Sequence, residues 1–393
     1  MLTIAGMDTT VKYLVLAFAA VMGFSRGGIH TAFWLLLVAT VIRYCRQPFP
    51  LAIDRNFKQA MLIFLGTLAI STAFSGDIGA SLRFLGLIII KIMPVFVVVA
   101  AVQNRKVTEQ AAALMAGSIL FGSLVAFWQV AHGAGRGKVT SFLGVMDFGG
   151  IIGLIMPVLI VKGFDRETEK RLRGLYLVAA ALAMVALVYN GTRAVWIAAL
   201  VTTGLYVIIT LIMNGRRAIK PVVAISIMLL LVALIFTAND SLSARLQTLT
   251  NMNFRSNHER VLMWQYALDN FKSHPVFGVG LAALPTYAFT PEEALELKAN
   301  PSYGHVHNTI MQIMAENGIV GLFGFLTLFV TIVKTALTKI RNGQARSWAL
   351  IALLCTVDFF VHGLFDYTFT ITTVMYSYWF ILGLAYANFL KTQ

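Results

Sequence analysis

The chain has 393 residues, of which 58% are hydrophobic and only 12% charged, with a mean hydropathy of +0.78; no soluble core of this size needs so much apolar surface. A hydrocarbon layer about 30 Å thick takes about 20 apolar residues per helix. The long apolar runs meet that length and none alternates as outer-membrane strands do, which excludes soluble and β-barrel classes. The formal charge of +14 would suggest nucleic acid in a soluble protein, but here the basic residues crowd into short connectors, so they report topology and the partner they imply is the lipid bilayer, with no nucleic acid.

In chain order the apolar runs predict twelve membrane-spanning helices, near 10–25, 27–43, 59–75, 83–101, 109–131, 147–162, 174–191, 193–213, 221–238, 309–336, 347–366 and 370–389. The fold class is therefore an all-α polytopic membrane protein. The first run is followed at once by others and lacks a small-residue processing site, so it reads as a first span rather than a cleavable signal. Most Lys and Arg fall in alternate connectors, among them Arg43 to Lys58, Lys162 to Arg173 and Lys334 to Arg346. The positive-inside rule then places both termini in the cytoplasm. Cys45 and Cys355 are the only cysteines, one in a connector and one in a late span, so neither a disulfide framework nor a thiolate metal site is expected.

The opposite connectors are short turns holding Arg26, Arg83, Arg136, Lys138 and Arg193, plus one long polar stretch. Three segments follow: spans one to nine over 1–238, an outward loop with an amphipathic helix over 239–307, and spans ten to twelve over 308–393. ATP and nucleotide sugars are absent on the outer side, and the sequence has no Walker loop, dinucleotide fingerprint or Asp-x-Asp pair to hold them. No internal repeat suggests a secondary transporter.

Residues able to do chemistry cluster at three places. At the corner Tyr189-Asn190-Gly191-Thr192-Arg193-Ala194-Val195-Trp196, Arg193 is either a snorkelling arginine beside an interfacial tryptophan or a guanidinium held at headgroup level for a lipid-linked phosphate. Within the loop, Arg255 to Lys272 reads as an amphipathic helix closed by His274-Pro275 and Gly278-Val279-Gly280. Trp264, Leu268 and Phe271 share a face, and Arg260, one turn before Trp264, projects from that face or pairs with Glu259 or Asp269. Last comes Gly304-His305-Val306-His307-Asn308, where Asn308 is a natural N-cap for the next span. The helix start there favours phosphate oxygens, while His307, or secondarily His305, can accept a proton near neutral pH. Gly318, Gly321 and Gly324 give that span a small-residue face for a neighbouring helix. No carboxylate pair of glycosidase type is evident, and no His/Asp/Glu cluster in the loop has metal-ligand spacing. No metal and no cofactor are expected, and arginine has to neutralise phosphate.

These motifs resemble the O-antigen ligase and polymerase superfamily, membrane glycosyltransferases that use undecaprenyl diphosphate-linked glycans on the periplasmic face. His307-Asn308, nine residues, then Gly318-Ile319-Val320-Gly321 fits the family's His-Asn signature, and the long outward loop, Arg260 before Trp264, the His274-to-Gly280 turn and the Thr192-Arg193 corner fit with it. The resemblance implies a GT-C-like helical fold in the bacterial inner membrane and an inverting, metal-independent transfer. It implies His307 as the catalytic base, Arg193 and Arg260 as binders of the donor diphosphate, and Arg136 and Lys138 as a basic segment near donor or acceptor, with His305 and Asn308 as further substrate-binding candidates. His362 to Tyr367 also looks familiar for late family spans but carries no assignable role. The favoured activity is ligation of a finished glycan to lipid A-core. The alternatives are a polymerase joining lipid-linked repeat units and, in a different class, a flippase for the same lipid, which should carry intramembrane charges facing a cavity.

Overall fold

A computed structural model of the chain describes residues 4–48, 53–102, 104–135, 139–251, 254–284, 287–288, 290, 292 and 302–390. A helix forms at each of the twelve predicted places: α1 Ile4–Val21, α2 Arg26–Arg46, α3 Arg55–Ala73, α4 Ile78–Ala101, α5 Arg105–Ala131, α6 Val145–Phe164, α7 Lys170–Asn190, α8 Arg193–Asn214, α9 Ile219–Thr237, α12 Thr309–Arg341, α13 Arg346–Gly363 and α14 Thr372–Phe389. The long connector adds α10 Asp240–Gln247 and α11 Arg255–Ser273, and a two-residue ladder pairs Tyr287–Ala288 with Ser302–Tyr303.

Ten of these helices are long and apolar enough to cross a membrane by length and composition. The chain is a polytopic helical membrane protein. The two predicted spans outside the ten, α3 and α14, both bring polar residues into the bundle, α3 through Thr67, Ser71 and Thr72. α14 carries Ser377, Asn388 and the tyrosines 376, 378 and 386, and is buried from Thr373 to Phe389. It therefore meets protein rather than lipid and needs no uniformly apolar surface. α6 is buried from Asp147 to Gly163, so these two helices form the centre of the bundle. α9 lies at the other extreme, with only Pro221 and Ile225 buried, as a lipid-facing helix should.

Local sequence explains the helix starts. Ser25, Asp54, Asp77, Asn104, Asn239 and Asn308 each accept a hydrogen bond from a backbone N–H inside the first turn of the helix they precede. Each such cap contributes about 1 kcal/mol.

α12 departs from expectation. It is interrupted at Gly318, whose φ of 61° and ψ of −161° are not helical. The turn from His274 to Gly280 fills the break. Val279 and Gly280 donate their N–H groups to the Ala315 and Glu316 carbonyls at 3.0 and 2.8 Å, while Ile319 and Val320 donate to the Pro275 and Val276 carbonyls at 2.9 and 3.2 Å. Backbone groups orphaned by the break are thereby satisfied, which a lipid environment demands. A Cβ at Gly318 would collide with the Val276 carbonyl, and one at Gly278 with the Glu316 backbone. The expectation of a three-glycine face for a neighbouring helix is thus corrected: Gly318 receives the loop, Gly321 lies over the side chain of Asn317, and only Gly324 receives another helix, through Thr67 of α3.

Candidate functional site

His307 sits immediately before the α12 N-terminus with φ 49°, a left-handed conformation that costs a non-glycine residue about 1–2 kcal/mol. Its neighbours hold it there. Val306 before it is fixed through both backbone groups, the carbonyl accepting from Trp264 Nε1 at 3.0 Å and the N–H donating to Gln312 Oε1 at 2.9 Å. Asn308 after it caps α12 by accepting from the Met311 N–H at 3.0 Å, and its Nδ2 donates to the Leu364 carbonyl at 2.9 Å. The imidazole Nδ1 lies 3.3 Å from Oδ1 of Asp366, in the turn between α13 and α14.

Asp366 is 5% exposed. Burial pushes its carboxyl up, but the hydrogen bond with His307, the nearby His362 and His307 rings and the Tyr367 N–H together outweigh burial and hold it down at about 2. It is therefore a carboxylate at neutral pH, able to fix the tautomer of His307 so that Nε2 is left to accept a proton. His305 stacks obliquely on His307 with ring centres 4.3 Å apart. Burial, then the neighbouring His307, drives its imidazole down to about 4, so it is neutral at physiological pH.

A cavity of about 550 Å³ opens beside Asp366, walled by Arg193, Arg245, Arg260, Trp264 and Phe365. Arg193 is the first residue of α8, reached through Gly191 in the left-handed conformation that ends α7. It is 8% exposed, which removes the snorkelling reading. Its Nη1 donates to the carbonyl and hydroxyl of Thr248 at 2.9 and 3.0 Å, and its guanidinium lies 5.0 Å from the Phe254 ring centre. Arg260 projects from α11 and donates to the Ser256 hydroxyl at 3.3 Å, which Arg193 Nη2 also reaches at 3.3 Å. Of the acidic residues anticipated beside it, Glu259 pairs with Arg255 at 2.6 Å and Asp269 with Lys272 at 3.1 Å. α11 seats on the bundle through Met263, Ala267 and the partly buried Trp264, a stripe rotated slightly from the predicted face.

Residues 178–326 match a family model described as "O-Antigen ligase". Over that segment the chain is similar to the O-antigen ligase family. Three curated relatives named "Putative polysaccharide ligase" come from Rickettsia. The chain is 28% identical over 111 residues to that of Rickettsia conorii, covering 28% of this chain and 26% of the relative. It is 24% identical over 128 residues to that of Rickettsia typhi, covering 32% and 29%, and 26% identical over 111 residues to that of Rickettsia felis, covering 28% and 26%. The match thus spans somewhat over a quarter of each relative's length. The O-antigen ligase segment runs from within α7 to the middle of α12 and contains Arg193, Arg245, Arg260, His305, His307 and Asn308.

Of the predicted site residues, the structure brings Arg193 and Arg260 to one cavity and joins His307 to its wall through Asp366. Arg136 and Lys138 lie outside the described residues. Two contributors escaped sequence reading. Arg245, at the end of α10, shares Phe254 with Arg193, its guanidinium 5.8 Å from that ring centre. Asp366 lies in the segment that looked familiar but carried no role, and its Oδ2 also faces His362 Nε2 at 4.0 Å. His305, His307 and Asp366 bring one ligand atom each to within 4.8 Å of one another, so they are the group among the described residues that could hold a metal ion. Sequence spacing within the loop did not reveal it, because the carboxylate comes from beyond α13.

Proposed function

We propose that this protein is an O-antigen ligase-type membrane glycosyltransferase that moves a glycan from undecaprenyl diphosphate to a sugar hydroxyl of lipid A-core, with inversion and without a metal. It works in a GT-C-like helical frame in the bacterial inner membrane, with its active site on the periplasmic face. The observation that carries the reading is the shared cavity: three arginines line it, and the carboxylate on its wall hydrogen-bonds the histidine that precedes α12. The names of the Rickettsia relatives favour ligation over polymerisation.

The chemistry follows from charge. Cleavage of an anomeric bond to diphosphate passes through an oxocarbenium-like state while negative charge builds on the departing phosphate. Guanidinium groups fixed in advance at that oxygen stabilise the transition state more than the ground state. Arg193 and Arg260 bind the diphosphate, with Arg245 adding a third positive charge to the same wall. His307 Nε2 takes the proton of the acceptor hydroxyl as its oxygen attacks the anomeric carbon on the face opposite the diphosphate. Asp366 balances the imidazolium that forms. His305 and Asn308 position the base, and the basic turn with Arg136 and Lys138 attracts anionic substrate.

The test is lipopolysaccharide gel analysis of a strain lacking the gene, complemented with wild type or His307→Ala. Wild type restores the high-mass ladder, and His307→Ala leaves undecaprenyl-linked polymer unattached. Core bearing a single repeat in the deletion strain overturns ligation in favour of polymerisation.

A further inference from the structure

The group His305, His307 and Asp366 has a property that glycosyl transfer does not use. Its donor set is two imidazoles and one carboxylate, the set that leaves open positions on a first-row transition metal. His307 Nδ1 and Asp366 Oδ1 are 3.3 Å apart, about the ligand-to-ligand edge of a tetrahedron with arms of about 2.0–2.1 Å. The third donor is within 4.8 Å of both, a gap that rotation of the His305 side chain can close. The backbone between the two histidines is already fixed, since Val306 is bonded through both its N–H and its carbonyl. His362 stands 4.0 Å behind the other Asp366 oxygen, where an outer partner of a ligating carboxylate belongs. The cavity's arginines oppose a dication, which sets the affinity well short of that of a structural zinc site.

We propose that His305, His307 and Asp366 form an inhibitory zinc site on the exoplasmic face of this protein, one that shuts off transfer because zinc on the His307 Nδ1 lone pair leaves the ring proton on Nε2, which then cannot take the acceptor's proton. Binding needs only the three donors. Inhibition rests in addition on His307 acting as the base, and the two parts are separable by experiment. Harder cations such as magnesium prefer oxygen ligands and six-fold geometry, so they are not ligands of choice here.

The experiment uses the full-length chain in detergent micelles, stripped with chelator and then titrated with Zn²⁺ in competition with a chromophoric chelator. One zinc per chain is expected, with a dissociation constant on the order of micromolar and at least about tenfold weaker binding in His305→Gln or Asp366→Asn, since loss of one ligand commonly removes one to two orders of magnitude. Equal binding by wild type and a His305→Gln/Asp366→Asn double variant overturns the site. Cobalt titration of the wild type guards against a variant that fails to fold: intense visible bands of four- or five-coordinate Co²⁺ support the site, and their absence at saturating Co²⁺ overturns it. Transfer assays complete the test. Full activity in chelator with loss on adding zinc supports inhibition. Zinc bound at these residues with transfer unaffected upholds the site and overturns His307 as base, whereas activation by zinc overturns the inhibitory role.

Discussion

Asp366→Asn is the sharpest perturbation of the proposed machinery, because it removes a charge and keeps a shape. The asparagine carbonyl oxygen can still accept from the His307 ring and from the Tyr367 N–H, which Asp366 Oδ1 now accepts at 2.8 Å. What disappears is the negative charge 3.3 Å from Nδ1 in a turn shielded from water. Coulomb attraction at that distance with an effective dielectric near 20 sets a ceiling of about 5 kcal/mol. Hydrogen bonds to charged groups measured by mutation contribute about 1.5–3 kcal/mol. The charge on His307 exists only once it has taken the proton, so the loss falls on the rate: kcat should drop about 10- to 10²-fold with KM for the lipid-linked donor little changed. Initial rates of purified protein with lipid-linked glycan and core acceptor measure this directly, with thermal melting as the control for folding. A variant within about twofold of wild type, or one whose defect lies wholly in KM, would refute the idea that this carboxylate supports a protonated imidazole.

Three further outcomes follow from the same geometry. Arg193→Ala and Arg260→Ala should each lower transfer about 10²-fold or more, as loss of one preorganised donor to a developing anion does, and the double variant should fall less than the product of the singles because both serve one diphosphate; strict additivity in rate measurements would argue for separate sites. Gly318→Ala should destabilise the protein by about 2–4 kcal/mol, through a left-handed alanine and a collision with the Val276 carbonyl that the packed turn cannot relieve, seen as a fall in melting temperature. Since Asp366 titrates at about 2 in place of its ordinary 3.8, it adds about 2 kcal/mol that is present above pH 4 and lost as pH falls toward 2; Asp366→Asn should flatten that part of the stability–pH curve, and an unchanged curve counts against the His307 contact.

Much of the fold was legible because a bilayer imposes one-dimensional rules. Spans must be long and apolar, connectors carry charge, and helix starts carry caps, so the twelve helices and the Asn308 cap could be read locally. α14 was legible by length, although its tyrosines, serine and asparagine belong to a helix surrounded by protein. The break in α12 was not legible. Glycines three apart are the signature both of a small-residue face and of a place where the helix can open, and only a partner distinguishes them. That partner, the turn from His274 to Gly280, lies some forty residues upstream and was visible as a motif without a destination. Both motifs become one feature once the Val279, Gly280, Ile319 and Val320 hydrogen bonds are seen.

The candidate site divides along the same line. Arg193, Arg260 and His307 stand in short segments whose residue types announce their chemistry, so each could be named singly. Their convergence, and the identity of the group orienting the histidine, depend on contacts between distant parts of the chain. Asp366 is 59 residues from His307 and beyond the segment the O-antigen ligase model covers, in a turn whose position is set by packing of α13 and α14. The same packing has an energetic consequence for His307. Its left-handed backbone is tolerated because Trp264 and Gln312 hold the residue before it and Asn308 ties the residue after it to Leu364. Gln312 and Asn308 lie outside the cavity lining, so substituting either loosens the proposed base from behind, and activity should be more sensitive than stability to changes at these two positions. The loop carries His307, the proposed base, but the bundle decides where its imidazole points.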